Sequence, residues 1–215
     1  MPETTDQKRK RSLKIIDLLS QQYPNAACHL NFKTPFQLLI STILAAQCTD
    51  ERVNTVMNEL YKKYKSPADF AKAKPEVLEK ELSSINFFRN KTKSVLNCSK
   101  ALVEKHGGEV PKSMNELTAL AGVGRKTANV VLGNCFGVPA IMTDTHLNRV
   151  AQRLELVDTD VPDKIEAELK SIVPDDVQVK FSHIIGEHGR QICKARKPLC
   201  NECVVNKLCP SAGKA

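Results

Sequence analysis

The sequence lacks any long uninterrupted apolar run. Its longest apolar stretch, PFQLLISTILAAQ at 35–47, carries polar residues and falls short of the roughly 18 apolar residues that a membrane span needs. The first residues, MPETTDQKRKRSLKIIDLL, are polar and basic and hold no apolar signal core. We therefore expect neither a membrane protein nor a secreted one, and predict a protein of the reducing cytoplasm.

Strand patterns are also missing, because apolar and polar residues nowhere alternate over a useful length. There is no internal repeat and no low-complexity linker. Apolar residues instead recur at helical spacing, and the segments open with typical helix start signals. These signals are Thr34-Pro35, Asp50 before ERVNTVMNELYKKY, Ser66-Pro67, Ser113 with Glu116, Thr143 or Asp144, and Asp160-Val161-Pro162. The sequence predicts an all-α protein.

Acidic residues are the minority charge. Lysine and arginine number 32 against 24 aspartate and glutamate, which gives a formal net charge of +8. Such an excess favours a polyanionic partner, and nucleic acid is the first candidate.

Residues 120–131, LAGVGRKTANVV, predict a helix-hairpin-helix at about 113–134. Two glycines permit positive φ angles and a close approach of the backbone to a ligand. The second helix would point unpaired N–H groups out of the turn, which suits a phosphate. Gly122, Val123, Gly124 and Arg125 are therefore candidate contacts to a nucleic-acid backbone, although a plain glycine-rich turn has the same pattern.

Lys126 lies in the first turn of that second helix, beside Arg125. A lysine at a positive helix end and next to another cation loses its proton more readily, and a neutral amine is a nucleophile. Asp144 follows after one helix and one short loop, so its carboxylate could take a proton or stabilise positive charge on a sugar. The residues alone leave two other interpretations open: Lys126 as a phosphate contact, and Asp144 as an ordinary helix cap.

Four of the eight cysteines crowd into one short segment, with the spacing Cys193-x6-Cys200-x2-Cys203-x5-Cys209. Four soft ligands so close together predict a metal site, and only the middle interval has the short spacing common in zinc sites. The spacing favours an iron–sulfur cluster over zinc. The loop after the first ligand carries Lys194, Arg196 and Lys197, which are candidate DNA contacts. The scattered cysteines are expected to be buried thiols: Cys28, Cys48, Cys98 and Cys135.

These motifs together, LAGVGRKTANVV, MTDTHLNRV and the four-cysteine segment, resemble the endonuclease III family of the helix-hairpin-helix glycosylase superfamily. The likeness runs from about residue 12 to residue 209. It implies two helical lobes that flank a DNA-binding cleft. One is a six-helix barrel domain over 28–138 that carries the hairpin, and the other is an iron–sulfur cluster domain formed by 1–27 with 139–215.

The resemblance also implies an activity and the residues that perform it. It implies a base excision repair glycosylase with abasic-site lyase activity, a nucleoid-associated monomer that removes damaged pyrimidines from double-stranded DNA and cuts the strand by β-elimination. Lys126 would be the Schiff-base nucleophile and Asp144 its acidic partner. Gln47 would fill the gap left by a flipped nucleotide, and Ile85 and Phe87 would form the wedge loop. A [4Fe-4S] cluster would be held by Cys193, Cys200, Cys203 and Cys209.

The sequence departs from the family pattern at three places. Ala121 replaces the usual proline of the hairpin, Asn86 stands where the wedge loop usually has glycine, and Phe87 replaces a leucine found in some members. Two rival functions remain. An adenine-mismatch glycosylase of the same superfamily would lack the lysine and carry a glutamate near Ile43, and a non-catalytic DNA-binding module would never form a covalent adduct.

Overall fold

The structure is a computed structural model, and it describes residues 3–214. Those residues contain helices and no strand, which confirms the all-α prediction. The α-helices are α1 Thr5–Gln22, α2 Pro35–Ala45, α3 Asp50–Lys63, α4 Pro67–Ala71, α5 Pro75–Glu81, α6 Phe88–His106, α7 Met114–Thr118, α8 Arg125–Phe136, α9 Thr145–Arg153, α10 Pro162–Ile172 and α11 Gln178–Gln191. None of the helices in the described residues is long and apolar enough to cross a membrane.

The helix starts follow the predicted signals with two corrections. Thr34 and Ser66 cap α2 and α4 as expected, each accepting a hydrogen bond from a backbone N–H three residues later. Asp50 is the first residue of α3 and not its cap, because the Thr49 hydroxyl accepts the hydrogen bond instead. Ser113 caps α7. Its hydroxyl donates to the Glu116 carboxylate, which does not accept the Ser113 backbone N–H that a capping box requires.

The chain divides into two compact units. The continuous one, Cys28–Gly137, is built around α2, which is buried almost all the way round and packs against α3, α6 and α8. An apolar helix without a polar face can be stable only inside a core. The short α4 packs on α6. Phe70 of α4 also forms an edge contact with Phe36 of α2.

The other unit is discontinuous, and combines the residues up to Ala27 with those from Val138 onward. Its core joins α1 to the last helices: Ile15 and Leu19 pack in one cluster with Leu147, Ile165 and Phe181. Each such side chain contributes about 1.5–3 kcal/mol by leaving water. Helix α9 packs on α11, and α1 packs on both α10 and α11.

The predicted functional domains, 28–138 and 1–27 with 139–215, stay a prediction. Their outermost residues, Met1, Pro2 and Ala215, lie outside the described residues.

The scattered cysteines correct one expectation. Only Cys98 is buried, and burial raises the pKa of its thiol to about 12. Cys28, Cys48 and Cys135 are half-buried. Apolar neighbours in sequence did not predict burial here, because these three lie at or near the ends of helices or in a connection.

Candidate functional site

The turn between α7 and α8 contains two glycines with different roles. Gly122 has a φ of +78°, and a Cβ built on it would lie 2.7 Å from the Ser94 Cβ and 3.2 Å from the Ile43 Cγ2. This glycine is required because the turn packs closely against α6 and α2. Gly122 is also exposed, so its predicted contact to a nucleic-acid backbone stays a prediction beside this packing role.

Gly124 is the residue that faces open space. It is the N-cap of α8 with an extended backbone, no side chain caps the helix, and a Cβ there would have no neighbour within 4 Å. Val123 is 6% exposed and its N–H donates to the Leu120 carbonyl, so its side chain anchors the turn and offers no contact to a ligand. Gly124, Arg125 and Lys126 are exposed. They form an uncapped, positively charged helix start, which favours an anion.

Asp144 begins α9. One of its oxygens, Oδ1, accepts the Leu147 backbone N–H at 2.7 Å, which confirms that Asp144 rather than Thr143 is the cap. The other oxygen, Oδ2, lies 3.8 Å from the Arg190 guanidinium, and 23% of the Asp144 side chain is exposed. The carboxylate therefore caps its helix with Oδ1, while Oδ2 makes only the longer contact to Arg190.

His146 follows two residues later and is held in a cationic neighbourhood. Burial lowers its pKa, and Arg190 and Arg149 lower it further, while Asp144 opposes this shift. A neutral ring is therefore favoured. Its Cβ would lie 2.9 Å from a Cβ placed on Gly189, so α9 and α11 cross too closely for any side chain at that position.

Lys126 and Asp144 belong to different units of the chain. Lys126 lies in Cys28–Gly137, and Asp144 lies in the unit that begins again at Val138.

The residues expected beside a flipped nucleotide behave differently from one another. Gln47, just after α2, is exposed and has a φ of +54°. Phe87, just before α6, is 63% exposed and has a φ of +58°. Ile85 is 1% exposed and belongs to the core, and its predicted contact to DNA stays a prediction. Simple alternation would place Ile85 and Phe87 on the same side because they are two residues apart. The turn conformation, with its positive φ at Phe87, separates the buried side chain from the exposed one.

Two residues that the sequence did not single out as functional contact this region. Lys91 is buried, and its Nζ donates to the carbonyls of Leu44 at 2.8 Å and Ala46 at 2.6 Å. The Asn86 Nδ2 donates to the Gln47 carbonyl at 2.7 Å. A lysine in a basic helical segment gives no sign in the sequence that it is buried, which is why Lys91 was missed.

The four clustered cysteines line one pocket. Its walls also include Val150, Leu154 and His188, and the His188 Nε2 lies 3.4 Å from the Cys203 sulfur. Among the residues that the structure describes, no three His, Cys, Asp or Glu side chains converge closely enough to hold a single metal ion. Burial raises the pKa of the Cys203 and Cys209 thiols. Four thiols around a largely apolar pocket are a donor set that fits an iron–sulfur cluster ligated by four cysteines.

Two arginines of α9 form hydrogen bonds with the chain at the first of these cysteines. Arg149 donates to the Cys193 carbonyl through Nε at 3.1 Å and Nη2 at 3.0 Å. Arg153 donates to the Lys194 carbonyl at 2.7 Å, and its Nη1 lies 3.5 Å from the Cys193 sulfur. The loop beyond exposes Lys194, Arg196 and Lys197, whose contact to DNA stays a prediction.

Comparison with known proteins gives two family matches, one over much of the chain and one over the cysteine segment. Residues 40–175 match the family model described as HhH-GPD superfamily base excision DNA repair protein. Residues 193–209 match the iron-sulfur binding domain of endonuclease III.

Whole-chain relatives agree with these matches. Endonuclease III of Synechocystis sp. is 46% identical over 206 residues, which cover 95% of this chain and 94% of that protein. Endonuclease III of Escherichia coli K12 is 39% identical, covering 94% of this chain and 95% of that protein. A solved structure of a trapped covalent intermediate of endonuclease III with DNA superimposes with a TM-score of 0.90 at 39% identity, over 95% of this chain and 96% of that one.

Proposed function

Because the chain belongs to the endonuclease III family of HhH-GPD base excision DNA repair proteins, we propose that it excises damaged pyrimidines from double-stranded DNA and cuts the strand at the resulting abasic site. The chain is a repair enzyme of the DNA glycosylase and abasic-site lyase type. The single observation that carries the finer proposal is the exposed Lys126 in the first turn of a helix that has no side-chain cap.

Lys126 is the proposed nucleophile. Its neutral amine attacks the sugar C1′, the N-glycosidic bond breaks, and the base leaves with the bonding electrons. Opening of the sugar ring gives an imine between Nζ and C1′. Loss of a proton from C2′ then expels the 3′ phosphate, which cuts the strand by β-elimination. The similar solved structure is itself a trapped covalent intermediate of endonuclease III with DNA.

Asp144 is the proposed acidic partner. Its Oδ1 is occupied by the Leu147 N–H, so Oδ2 is the oxygen that would stabilise positive charge on the sugar and accept the lysine's proton. The Arg190 guanidinium, at 3.8 Å from Oδ2, helps to orient this carboxylate.

We propose that exposed cations and the uncapped start of α8 bind the phosphates of DNA. Gly124 and Arg125 would hold a phosphate at the start of α8, and Lys194, Arg196 and Lys197 would hold another part of the backbone. Gln47 and Phe87 would occupy the space left when the damaged nucleotide is extruded, and damaged pyrimidines are weakly stacked and cheaper to extrude. We expect a monomer that acts at the nucleoid.

The cysteine segment belongs to the endonuclease III iron–sulfur domain, and the [4Fe-4S] cluster of that family is its cofactor. When bound, the cluster supplies a rigid cross-link among four points of the chain. We propose that Cys193, Cys200, Cys203 and Cys209 ligate it and that it fixes the basic loop 194–197. We also propose that 28–138 is the six-helix barrel domain, and that 1–27 with 139–215 is the cluster domain.

Borohydride trapping tests the proposed chemistry. Reduction of the imine should attach the wild-type protein covalently to duplex DNA that contains one abasic site. The Lys126→Ala variant should give no adduct, whereas Lys100→Ala, which removes an exposed lysine from the middle of α6, should react like the wild type. Absence of an adduct from the wild type, or an equal adduct from Lys126→Ala, would refute the proposal.

The substrate class requires a separate experiment. A panel of duplexes, each with one defined lesion, should show base release from oxidised pyrimidines and little from undamaged duplex or from adenine opposite guanine. Faster release of mismatched adenine than of any damaged pyrimidine would favour the rival glycosylase activity.

A further inference from the structure

Gln47 and Phe87 share an unusual backbone conformation. Both have positive φ angles, +54° and +58°, although neither is glycine. A side chain disfavours this left-handed region, so such residues persist only where the surroundings hold them. They lie in two different connections, one after α2 and one before α6.

Lys91 is the first residue that holds the backbone near Gln47 in place. This lysine is 7% exposed, and both acceptors of its ammonium are carbonyls at the end of α2, those of Leu44 and Ala46. A buried ammonium is costly unless it is hydrogen-bonded, and the negative end of a helix is a favourable place for it. Its position is therefore fixed by the end of α2, and in return it fixes the last turn before Gln47.

Asn86 is the second residue that holds the backbone at Gln47. Its side-chain amide crosses from the connection before α6 to the Gln47 carbonyl, 2.7 Å away. The residue at this place in the wedge loop of the family that the chain resembles is usually glycine, which has no side chain to donate. The carbonyls of residues 44, 46 and 47 are thus all bound by side chains from residues 86 and 91.

We propose that Asn86 and Lys91 are positioning residues that hold Gln47, and the connection on which Phe87 directly follows Asn86, ready to enter the duplex beside an extruded nucleotide. The inference rests on the proposed function, because it assumes that these two side chains enter DNA. Preorganisation of this kind reduces the conformational freedom that is lost when the protein binds. Loss of either positioning residue should weaken the opening of the duplex and leave the chemistry of Lys126 intact.

The test uses a duplex with a tetrahydrofuran abasic analogue and 2-aminopurine in the opposing position. Wild-type protein should raise the 2-aminopurine emission, because the opposing base loses its stacking partners. Asn86→Ala should need about three- to tenfold more protein to reach the same emission, which is the range expected for loss of one hydrogen bond. Asn97→Ala, an exposed asparagine within α6, is the matched control and should behave like the wild type.

Two further measurements separate this inference from the proposed function and from misfolding. Borohydride trapping at saturating protein should be equal for wild type and Asn86→Ala, and its failure in the wild type would refute the proposed chemistry instead. Lys91→Met should reduce the emission at least as much as Asn86→Ala, with the exposed Lys93→Met as its control. Unchanged emission with Asn86→Ala, or an equal loss of emission and of saturated trapping at an unchanged melting temperature, would overturn the positioning role.

Discussion

Helices α8 and α9 begin in opposite ways. Both have an extended N-cap, but the N-cap of α8 is Gly124, which has no side chain, and that of α9 is Asp144, whose carboxylate bonds to its own helix. The difference decides where the negative charge at a positive helix end comes from. Helix α9 supplies its own anion, whereas α8 leaves the place open to an anion from outside.

This contrast explains why the two residues proposed for catalysis lie where they do. Lys126 lies at an uncapped helix start, where the proposed phosphate contact would be beside it. An aspartate that is itself a cap is held in one orientation by its Oδ1 hydrogen bond, so its Oδ2 is presented in a fixed direction. The same helix property would serve the proposed binding at α8 and orients a carboxylate at α9.

The largest expected effect comes from removing the charge of Asp144 while keeping its cap. Asp144→Asn retains an oxygen that can accept the Leu147 N–H, so the melting temperature should hardly change. Base release should fall by about 10²–10⁴, the usual contribution of a general acid or base. Single-turnover release measured on one damaged duplex checks this, and an activity within twofold of the wild type would reduce Asp144 to a helix cap.

The next effect comes from the packed glycine of the hairpin. Gly122→Ala places a Cβ 2.7 Å from that of Ser94 and forces a side chain into positive φ. The loss of stability should be about 2–3 kcal/mol, from overpacking and backbone strain together. The control is Gly124→Ala in the same turn, whose Cβ meets open space. Thermal melts of the two variants should differ by several degrees, and equal melts would contradict the packing role.

A smaller effect is expected when α8 is made to start as α9 does. Gly124→Asp adds a carboxylate at a backbone conformation that any residue adopts, so the helix should gain about 0.5–1 kcal/mol from its cap. The same carboxylate occupies the place of a phosphate, so affinity for abasic duplex should fall about tenfold. Fluorescence anisotropy at several salt concentrations measures both the affinity and the loss of one phosphate contact. Stronger binding by this variant would contradict the anion site.

The smallest expected effect is the stability that the Asp144 hydrogen bond to Leu147 adds at the start of α9. Asp144→Ala and Asp144→Asn both remove the charge, but only the alanine variant removes the acceptor of the Leu147 N–H. The alanine variant should therefore be the less stable of the two by about 1 kcal/mol. Paired thermal melts measure this difference directly, and identical melts would show that the cap adds nothing to stability.

Much of the fold was predictable because its signals are local. Thr34, Ser66 and Asp144 cap their helices as their sequence context indicates, and the four cysteines show their relation through spacing alone. The exposed start of α8, with Lys126 in its first turn, was predictable for the same reason.

The rest depended on contacts between distant parts of the chain. The Asn86 amide and the Lys91 ammonium bond to carbonyls at the end of α2, and no local pattern indicates these contacts. The sequence around Gly122 gives no sign that Ser94 packs against this glycine, because the contact joins distant parts of the chain. Ile85 and Phe87 are equally apolar in sequence, and only the loop conformation separates a core residue from an exposed one.

The discontinuous unit has a consequence for the order in which the chain is made. Helix α1 is synthesised before residues 28–137, yet the apolar side chains of its inner face pack on α10 and α11, which are synthesised after them. The unit Cys28–Gly137 can therefore complete its core first on the ribosome, while α1 waits with Ile15, Ile16 and Leu19 unpacked.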